Sequence, residues 1–376
     1  MKKRLDFLDY AKCFAIIFVV MEHAGVTPVA PFACIFPVFF VVAGYTYENS
    51  SKSLKEIGMS CFKKTMIPFW MALIVYGLFE VFRANYMGYG DVKLLGSVFA
   101  NAVYGSSLIP NPNGVLDFLK ETTTPWAPQS YNIQIIYPTT CHLWFLPSFF
   151  TSKIIFSFIM KKVKKIGFGY FFIMICFITL ASLESILIAY GQFPYGLGRG
   201  FLFTSFMMLG YFLKKLRLIE NNSRHVILSS LFVGLTLLIA SRLLGNGHIA
   251  WIISNYGQHG VWGAFIVFIL GTGGSLCILY LCLFIEKTFA KTPKFILSQI
   301  GRNTMSIYLW HMIFLTFIDL LYGTIFNKPF SPDQYLVNLF TNEMLLYNIV
   351  KGVLALTLCM ISVSIFKRIK CAQNKH

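Results

Sequence analysis

The first apolar stretch, DYAKCFAIIFVVMEHAGVT, runs from Asp9 to Thr27 and decides the fold. It has about the 20 residues that an α-helix needs to cross the hydrocarbon core of a bilayer. Similar stretches recur along the 376 residues, and the predicted spans are 9–27, 28–48, 66–82, 142–160, 168–189, 199–213, 226–243, 262–285, 301–322 and 345–366. We therefore predict an all-α, polytopic integral membrane protein with about ten transmembrane helices.

The composition excludes other classes of protein. Hydrophobic residues make up 56% of the chain and charged residues only 12%, which is too little charge for a soluble surface or for a disordered chain. The nine cysteines show no pairing pattern, no CxxC and no His/Cys metal spacing. We therefore expect neither a disulfide framework nor a metal site.

The basic residues predict the orientation. Most of the 32 Lys and Arg residues fall in alternate connections between the spans, which places the N-terminus and the C-terminus in the cytoplasm. Basic inner loops facing anionic lipid account for the net charge of +17, so we expect membrane lipids and no nucleic acid as partners. The expected location is the cytoplasmic (inner) membrane, and the one long connection, about 83–141, is expected on the outer side.

Ionisable side chains in the first span form a stripe along one helix face. Lys12 and His23 are about three helical turns and ~16 Å apart, with the apolar Ile16 and Val19 between them. Asp9 lies one turn before Lys12, a spacing suited to an ion pair. The stripe predicts an anion site at the inner surface that leads to an imidazole deeper in the membrane.

A plainer interpretation of the same stripe stays open. Lys12 could extend to the lipid interface, and His23 could be a hydrogen-bonded packing residue. Glu22 points about 100° away from His23, which makes it a poor direct partner on a regular helix.

Two later spans add further candidates. His311 follows Thr304 and Tyr308 on one helix face, as site lining or as a structural triad. Asp319, near the outer end of that span, is interpreted as facing water. In the preceding span, 262–285, close helix packing explains the GTGG sequence from Gly271 to Gly274.

Three candidates lie at outer ends of the fourth and sixth spans. His142 and Trp144 are expected to anchor the fourth span at the interface or to stack against a glycan. Arg199 enters the sixth span from outside, where an ion pair with Glu184 is the favoured role.

Six segments, in order, resemble the membrane-bound acyltransferase 3 family. The opening helix in that family carries a basic residue, ten intervening residues and a His, a spacing that Lys12 and His23 meet. The matching segments are RLDFLDYAKCFAIIFVVMEHA (Arg4–Ala24), FFVVAGYTY (Phe39–Tyr47), KKTMIPF (Lys63–Phe69), CHLWFLPSF (Cys141–Phe149), RGFLFTSFMMLGYFLKK (Arg199–Lys215) and IGRNTMSIYLWHMIF (Ile300–Phe314). The resemblance covers nearly the whole chain, so residues 1–376 are interpreted as a single integral membrane acyltransferase domain, most similar to the fucose 4-O-acetylase-like subgroup.

The chain departs from the family pattern at a few positions. Lys12 stands where Arg is common, which keeps the charge but loses the planar fork. Lys63 and Lys64 replace a pair of Arg residues separated by two positions, and Ala43 stands where many members have Ser. These differences concern donor binding more than the class of reaction.

The resemblance implies a membrane-bound O-acyltransferase. In the family, the basic residue holds the phosphates of cytoplasmic acyl-CoA and the His serves the transfer. Carried over, Lys12 with Lys63 and Lys64 binds acyl-CoA, with acetyl-CoA favoured, and His23 is the general base toward a hydroxyl of a cell-surface or lipid-linked carbohydrate. The predicted lining of the site is Asp9, Glu22, His142, Trp144, Arg199, Tyr308 and His311.

A second class of function remains open on the sequence. A polytopic transporter or glycan translocase would use intramembrane His and carboxylate residues as a proton or substrate path. Such a path would comprise His23, Glu184, His311 and Asp319. A transporter is expected to show corresponding broken helices in two halves, and the sequence shows no such symmetry.

Overall fold

A computed structural model describes residues 5–26, 35–48, 52–86, 141–163, 166–187, 194–219, 228, 230–232, 234–235, 262–326 and 345–373. Within these ranges every regular element is a helix, which confirms the predicted all-α class. The α-helices of these ranges are α1 (Asp6–His23), α2 (Val38–Tyr45), α3 (Leu54–Tyr86), α4 (Phe145–Lys162), α5 (Phe168–Leu187), α6 (Leu197–Lys215), α7 (Gly263–Thr288), α8 (Lys291–Arg302), α9 (Thr304–Ile325) and α10 (Leu345–Gln373). Short 3₁₀ turns at Cys141–Trp144 and Pro194–Gly196 precede α4 and α6.

Several helices are long and apolar enough to cross a bilayer, as a multi-pass membrane protein requires. Five such segments occur in the described ranges: Leu54–Phe79, His142–Lys162, Gly263–Thr288, Thr304–Ile325 and Leu345–Ile369. The total of about ten spans stays a prediction, because most of 226–243 and nearly all of the loop at 83–141 lie outside the described residues.

Helix α1 is not among these five segments, because it carries several charged residues. Although it has 18 residues, it carries Asp6, Asp9, Lys12 and Glu22. A charged side chain at membrane depth is costly and is retained where it has a partner or a function. The helix that carries the predicted stripe is therefore atypical as a plain span.

The chain divides into two compact units. Unit 1 comprises residues 1–39, 223–249 and 273–376, and in it α1 packs against α8, α9 and α10. Unit 2 comprises residues 40–222 and 250–272. There α6 packs against α4 and α5, and α4 also packs against α3.

The third helix begins earlier than the predicted span at 66–82. Ser53 and Glu56 form a capping box, in which the Glu56 amide donates to Ser53 Oγ (3.2 Å) and the Ser53 amide donates to Glu56 Oε2 (2.6 Å). Each side chain thus satisfies a backbone amide that has no partner inside the helix. This local signal starts α3 at Leu54, well before its apolar part.

The predicted span at 301–322 corresponds to α9, which begins three residues later at Thr304 and follows the separate helix α8. Asn303 separates α8 from α9, and its side-chain amide donates to the Gln299 carbonyl (2.6 Å). Lys367 of α10 donates to Asn303 Oδ1 (2.9 Å). The chain breaks here because this side chain competes with the helical backbone bonds.

Glycines let α2 and α6 approach closely within unit 2. A Cβ atom on Gly44 would overlap the backbone carbonyl of Met207, and one on Gly210 would overlap that of Val41. Phe40 and Phe203 stack beside this crossing, with ring centroids 4.0 Å apart. Small residues at such crossings are the usual basis of helix packing in membranes.

Candidate active site

Two histidines from distant parts of the chain meet inside unit 1. His23, the last residue of α1, lies with Nδ1 2.7 Å from Nε2 of His311 in α9. The rings are nearly parallel, with centroids 5.0 Å apart and an interplanar angle of 10°. His311 is fully buried, and His23 is partly buried. We call this pair the histidine dyad.

Backbone carbonyl groups fix the tautomer of His311. Its Nδ1 lies 3.0 Å from the Ile307 carbonyl oxygen and 2.9 Å from that of Tyr308. A carbonyl oxygen only accepts hydrogen bonds, so His311 Nδ1 carries the proton and Nε2 is the acceptor in the neutral ring.

The same reasoning extends to His23. Because His311 Nε2 accepts, Nδ1 of His23 must donate, and the lone pair of neutral His23 is then on Nε2. The dyad therefore presents His23 as a base through one defined nitrogen. Such an orienting partner is a common feature of activated catalytic residues.

At the other end of α1, a buried carboxylate holds two cations. Asp9 is about 5% exposed and its Oδ1 lies 2.8 Å from Lys12 Nζ, which is the predicted ion pair. Its Oδ2 lies 3.4 Å from Nε of Arg302, which also reaches Asp6 at 3.6 Å. Gly301 permits this approach, because a Cβ atom there would overlap the Asp9 carbonyl oxygen. Asp9 thereby ties α1 to α8 and orients Lys12.

Lys12 and His23 share one face of a continuous helix. Helical hydrogen bonding runs without interruption from Asp6 to His23, so the eleven-residue spacing gives about three turns. Lys12 keeps 25% of its side chain exposed, whereas Ile16 is buried and Val19 is 8% exposed. The apolar line between the Lys12 and His23 side chains is thus present as predicted.

Helix α10 secures the end of α1. Asn348 Nδ2 donates to the Gly25 carbonyl (3.0 Å), two residues after His23. Gly352, one turn later, lies close against the side chains of Met21 and Ala24, and a Cβ atom there would require Met21 to shift. These contacts fix the position of the helix end that carries His23.

The interpretation of Asp319 as a water-facing residue is wrong. It is 6% exposed and pairs with Lys351 of α10, whose Nζ lies 3.2 Å from Oδ1 and 3.3 Å from Oδ2. Tyr347 also donates its hydroxyl to Oδ1 (2.6 Å). Lys351 is 2% exposed, and the pairing of a buried ammonium with a buried carboxylate explains why both are present in apolar helices.

The remaining predicted residues of the fourth and sixth spans pack within unit 2. His142 is 2% exposed and lies edge to face against Tyr76. The Arg199 guanidinium lies over the Trp144 ring, 4.6 Å from its centroid. The expected partner of Arg199, Glu184, has its side chain outside the described residues.

The other predicted residues stay as predictions. Lys63 and Lys64 lie exposed on α3 in unit 2, and Glu22 is partly buried in α1. Tyr308 is 4% exposed and its ring centroid lies 6.1 Å from that of His311. Among the residues that the structure describes, no three His, Cys, Asp or Glu side chains converge as metal ligands.

Sequence analysis missed two lysines inside apolar helices. Lys351 in α10 pairs with Asp319, and Lys153 in α4 lies over two aromatic rings. Both carry the signal that singled out Lys12, an ionisable residue within a predicted span. Pairing of His23 with His311 has no local signal, because 288 positions separate them.

These features define a class of protein: a multi-pass helical membrane protein in which two histidines pair among apolar helices. The profile of the acyltransferase 3 family, described as an acyltransferase domain, matches residues 5–364. The chain therefore belongs to this family and is a membrane acyltransferase. No curated protein and no solved structure matches it significantly.

Proposed function

We propose that this protein is an O-acyltransferase of the cytoplasmic membrane. It moves an acyl group, with acetyl favoured, from cytoplasmic acyl-CoA to a hydroxyl of a cell-surface or lipid-linked carbohydrate. The observation that best supports this proposal is the histidine dyad, which gives an acyltransferase a base with a defined tautomer. The sequence resemblance to fucose 4-O-acetylase-like proteins supports a carbohydrate as the acceptor.

His23 acts as the general base in this proposal. Its Nε2 takes the proton of the acceptor hydroxyl while the oxygen attacks the thioester carbonyl carbon. The tetrahedral intermediate then collapses with cleavage of the carbon–sulfur bond, and His23 returns the proton to the thiolate of CoA. His311 accepts the Nδ1–H of His23 throughout and thereby stabilises the imidazolium that forms.

Lys12 is proposed to bind the phosphates of the donor. An ammonium group has three N–H donors, and the ion pair with Asp9 orients it without using all of them. The ~16 Å from Lys12 to His23 along the buried Ile16 and Val19 suits the extended pantetheine arm between phosphate and thioester. Lys63 and Lys64 are proposed as further donor contacts.

The proposed acceptor contacts are polar and aromatic side chains, taken for each unit separately. Glu22, Tyr308 and His311 are the proposed lining beside His23. In unit 2 the stacked Trp144 and Arg199, with His142, are proposed acceptor contacts, because aromatic faces suit sugar rings.

Transfer of labelled acetyl from acetyl-CoA to a glycan acceptor tests the proposal directly. We expect purified protein to label the acceptor and His23→Ala to lower the rate by about 10²–10⁴-fold, the usual contribution of a general base. His376→Ala provides a matched control at a histidine outside the proposed site. Undiminished transfer by His23→Ala would exclude His23 as the base, and a lack of transfer by wild type to any carbohydrate would refute the proposed acceptor class.

A further inference from the structure

A cationic and aromatic cluster surrounds Tyr47 in unit 2, just after the end of α2. Lys153 Nζ lies 5.3 Å from the centroid of the Tyr47 ring and 5.7 Å from that of Phe156. Lys214 Nζ donates to the Tyr47 carbonyl oxygen (2.9 Å), and Tyr211 meets the Tyr47 ring edge to face. We call these five residues the Tyr47 cluster.

The cluster holds donor groups without acceptors. Tyr47 is 8% exposed, and its buried hydroxyl has no hydrogen-bond partner within the described part of the chain. Lys153 forms no ion pair with any carboxylate of the described residues, and Glu48, the acidic neighbour in sequence, is exposed.

Burial of the Tyr47 hydroxyl and the Lys153 ammonium without acceptors costs free energy. A buried hydroxyl without a partner loses hydration, and so in part does an ammonium that lies over two aromatic rings. The ring faces compensate only part of the cost for the cation. Extension of Lys153 toward water would relieve the ammonium group but would leave the Tyr47 hydroxyl unsatisfied. An anion with several acceptor oxygens would satisfy both donors at once.

The position of the cluster suits a phosphate. It lies at the lysine-rich end of unit 2, where α4 ends with Lys161 and Lys162 and α6 ends with Lys214 and Lys215. Lys161 donates to the backbone of Lys52 just before α3, so these helix ends lie together. Basic helix ends are typical of the cytoplasmic face, where CoA and anionic lipid headgroups are both available.

We propose that the Tyr47 cluster is a phosphate-binding site, with Lys153 and the Tyr47 hydroxyl as its direct ligands. The phosphate belongs to acyl-CoA or to an anionic phospholipid, and the assignment to acyl-CoA rests on the proposed function.

Binding measurements on the full chain in phosphatidylcholine nanodiscs test the site without any transfer reaction. The variants are Lys153→Met and the nearly isosteric Tyr47→Phe, with Lys162→Met as the control that removes an exposed lysine from the same helix. The probes are CoA and pantetheine, which lacks the phosphates. A parallel arm compares melting temperatures in phosphatidylcholine and in phosphatidylglycerol nanodiscs.

If the phosphate is that of the donor, Lys153→Met weakens CoA binding about tenfold and Tyr47→Phe several-fold, while pantetheine binding is unchanged. If it is that of a lipid, CoA binding is unchanged, and both variants lose the stabilisation that phosphatidylglycerol gives wild type. Equal responses of wild type, Lys153→Met and Tyr47→Phe to both CoA and phosphatidylglycerol would overturn the proposal. These experiments measure binding and not transfer. Their outcome therefore does not depend on whether the protein transfers acyl groups to a carbohydrate.

Discussion

At the scale of single residues, the protein uses charge within α1 in two different ways. Asp9 is buried between Lys12 and Arg302, whereas Lys12 keeps part of its surface open. The carboxylate therefore positions the cation, and part of the Lys12 side chain remains accessible.

A charge-deleting variant at this position separates binding from chemistry. Lys12→Met is expected to raise the KM for acetyl-CoA by about 10–100-fold, the usual value of a hydrogen bond to a charged group, with little change in kcat. Lys12→Arg keeps the charge and is expected to retain most of the donor affinity. Steady-state kinetics with varied acetyl-CoA provide the test, and a loss confined to kcat would contradict the assignment of Lys12 to the donor.

Sequence reasoning at this scale found residue types but few of their partners. The ion pair of Asp9 with Lys12 could be predicted, because three positions along a helix bring side chains together. Arg302 on Asp9 and Lys351 on Asp319 could not, since those contacts depend on how helices pack. Asp319 was misinterpreted for this reason: its position in the span was known, but the ammonium that faces it was not.

At the scale of helices, the position of His23 depends on α9 and α10. Asp319 on α9 and Lys351 on α10 form a buried ion pair, while Asn348 of α10 holds the carbonyl of Gly25. The elements that carry His311 and secure His23 are thus joined by one charged contact.

Neutralising only Lys351 should destabilise the protein more than neutralising both Lys351 and Asp319. Lys351→Met leaves the Asp319 carboxylate buried without its counterion and is expected to cost about 3–5 kcal/mol of stability. The double variant Asp319→Asn/Lys351→Met removes both charges and should recover most of the loss. Thermal unfolding in detergent compares the two, with the exposed Lys287→Met of α7 as the control. Equal melting temperatures for the single and double variants would show that the charges are not coupled.

The ends of a helix can be predicted where the length of an apolar run sets them. They are harder to predict where a single hydrogen-bonding side chain sets them. The span at 262–285 corresponds closely to α7, Gly263–Thr288, because a long apolar run is sufficient. The capping box at Ser53 sets the start of α3 well before its apolar part, and Asn303 sets the start of α9 three residues after the predicted start of that span. A single hydrogen-bonding side chain overrides the hydropathy pattern at these sites.

At the scale of the whole molecule, the charge pattern predicts an orientation. We expect both termini in the cytoplasm and the loop at 83–141 outside. A green fluorescent protein fused to the C-terminus should therefore fluoresce, and alkaline phosphatase fused after residue 110 should be active. The converse pattern, an active phosphatase at the C-terminus, would contradict the predicted orientation and require an odd number of spans or an outer N-terminus.

Much of the whole-molecule account followed from sequence because the bilayer restricts the possible folds. Apolar segments of sufficient length must be helices, and six motifs in order indicated the family that the profile then matched. The histidine dyad could not be predicted from the sequence, since His23 and His311 meet only when α1 packs against α9.

The central claim is that His311 orients His23 as the catalytic base, and paired substitutions at His311 test it most directly. His311→Gln keeps an acceptor oxygen that can approach the Nδ1–H of His23, whereas His311→Leu keeps the volume and removes the acceptor. Acetyl transfer at saturating acetyl-CoA should therefore decrease in the order wild type, His311→Gln, His311→Leu, with the KM for acetyl-CoA nearly constant. Equal kcat values for the Gln and Leu variants, or a wild-type rate in His311→Leu, would contradict the account.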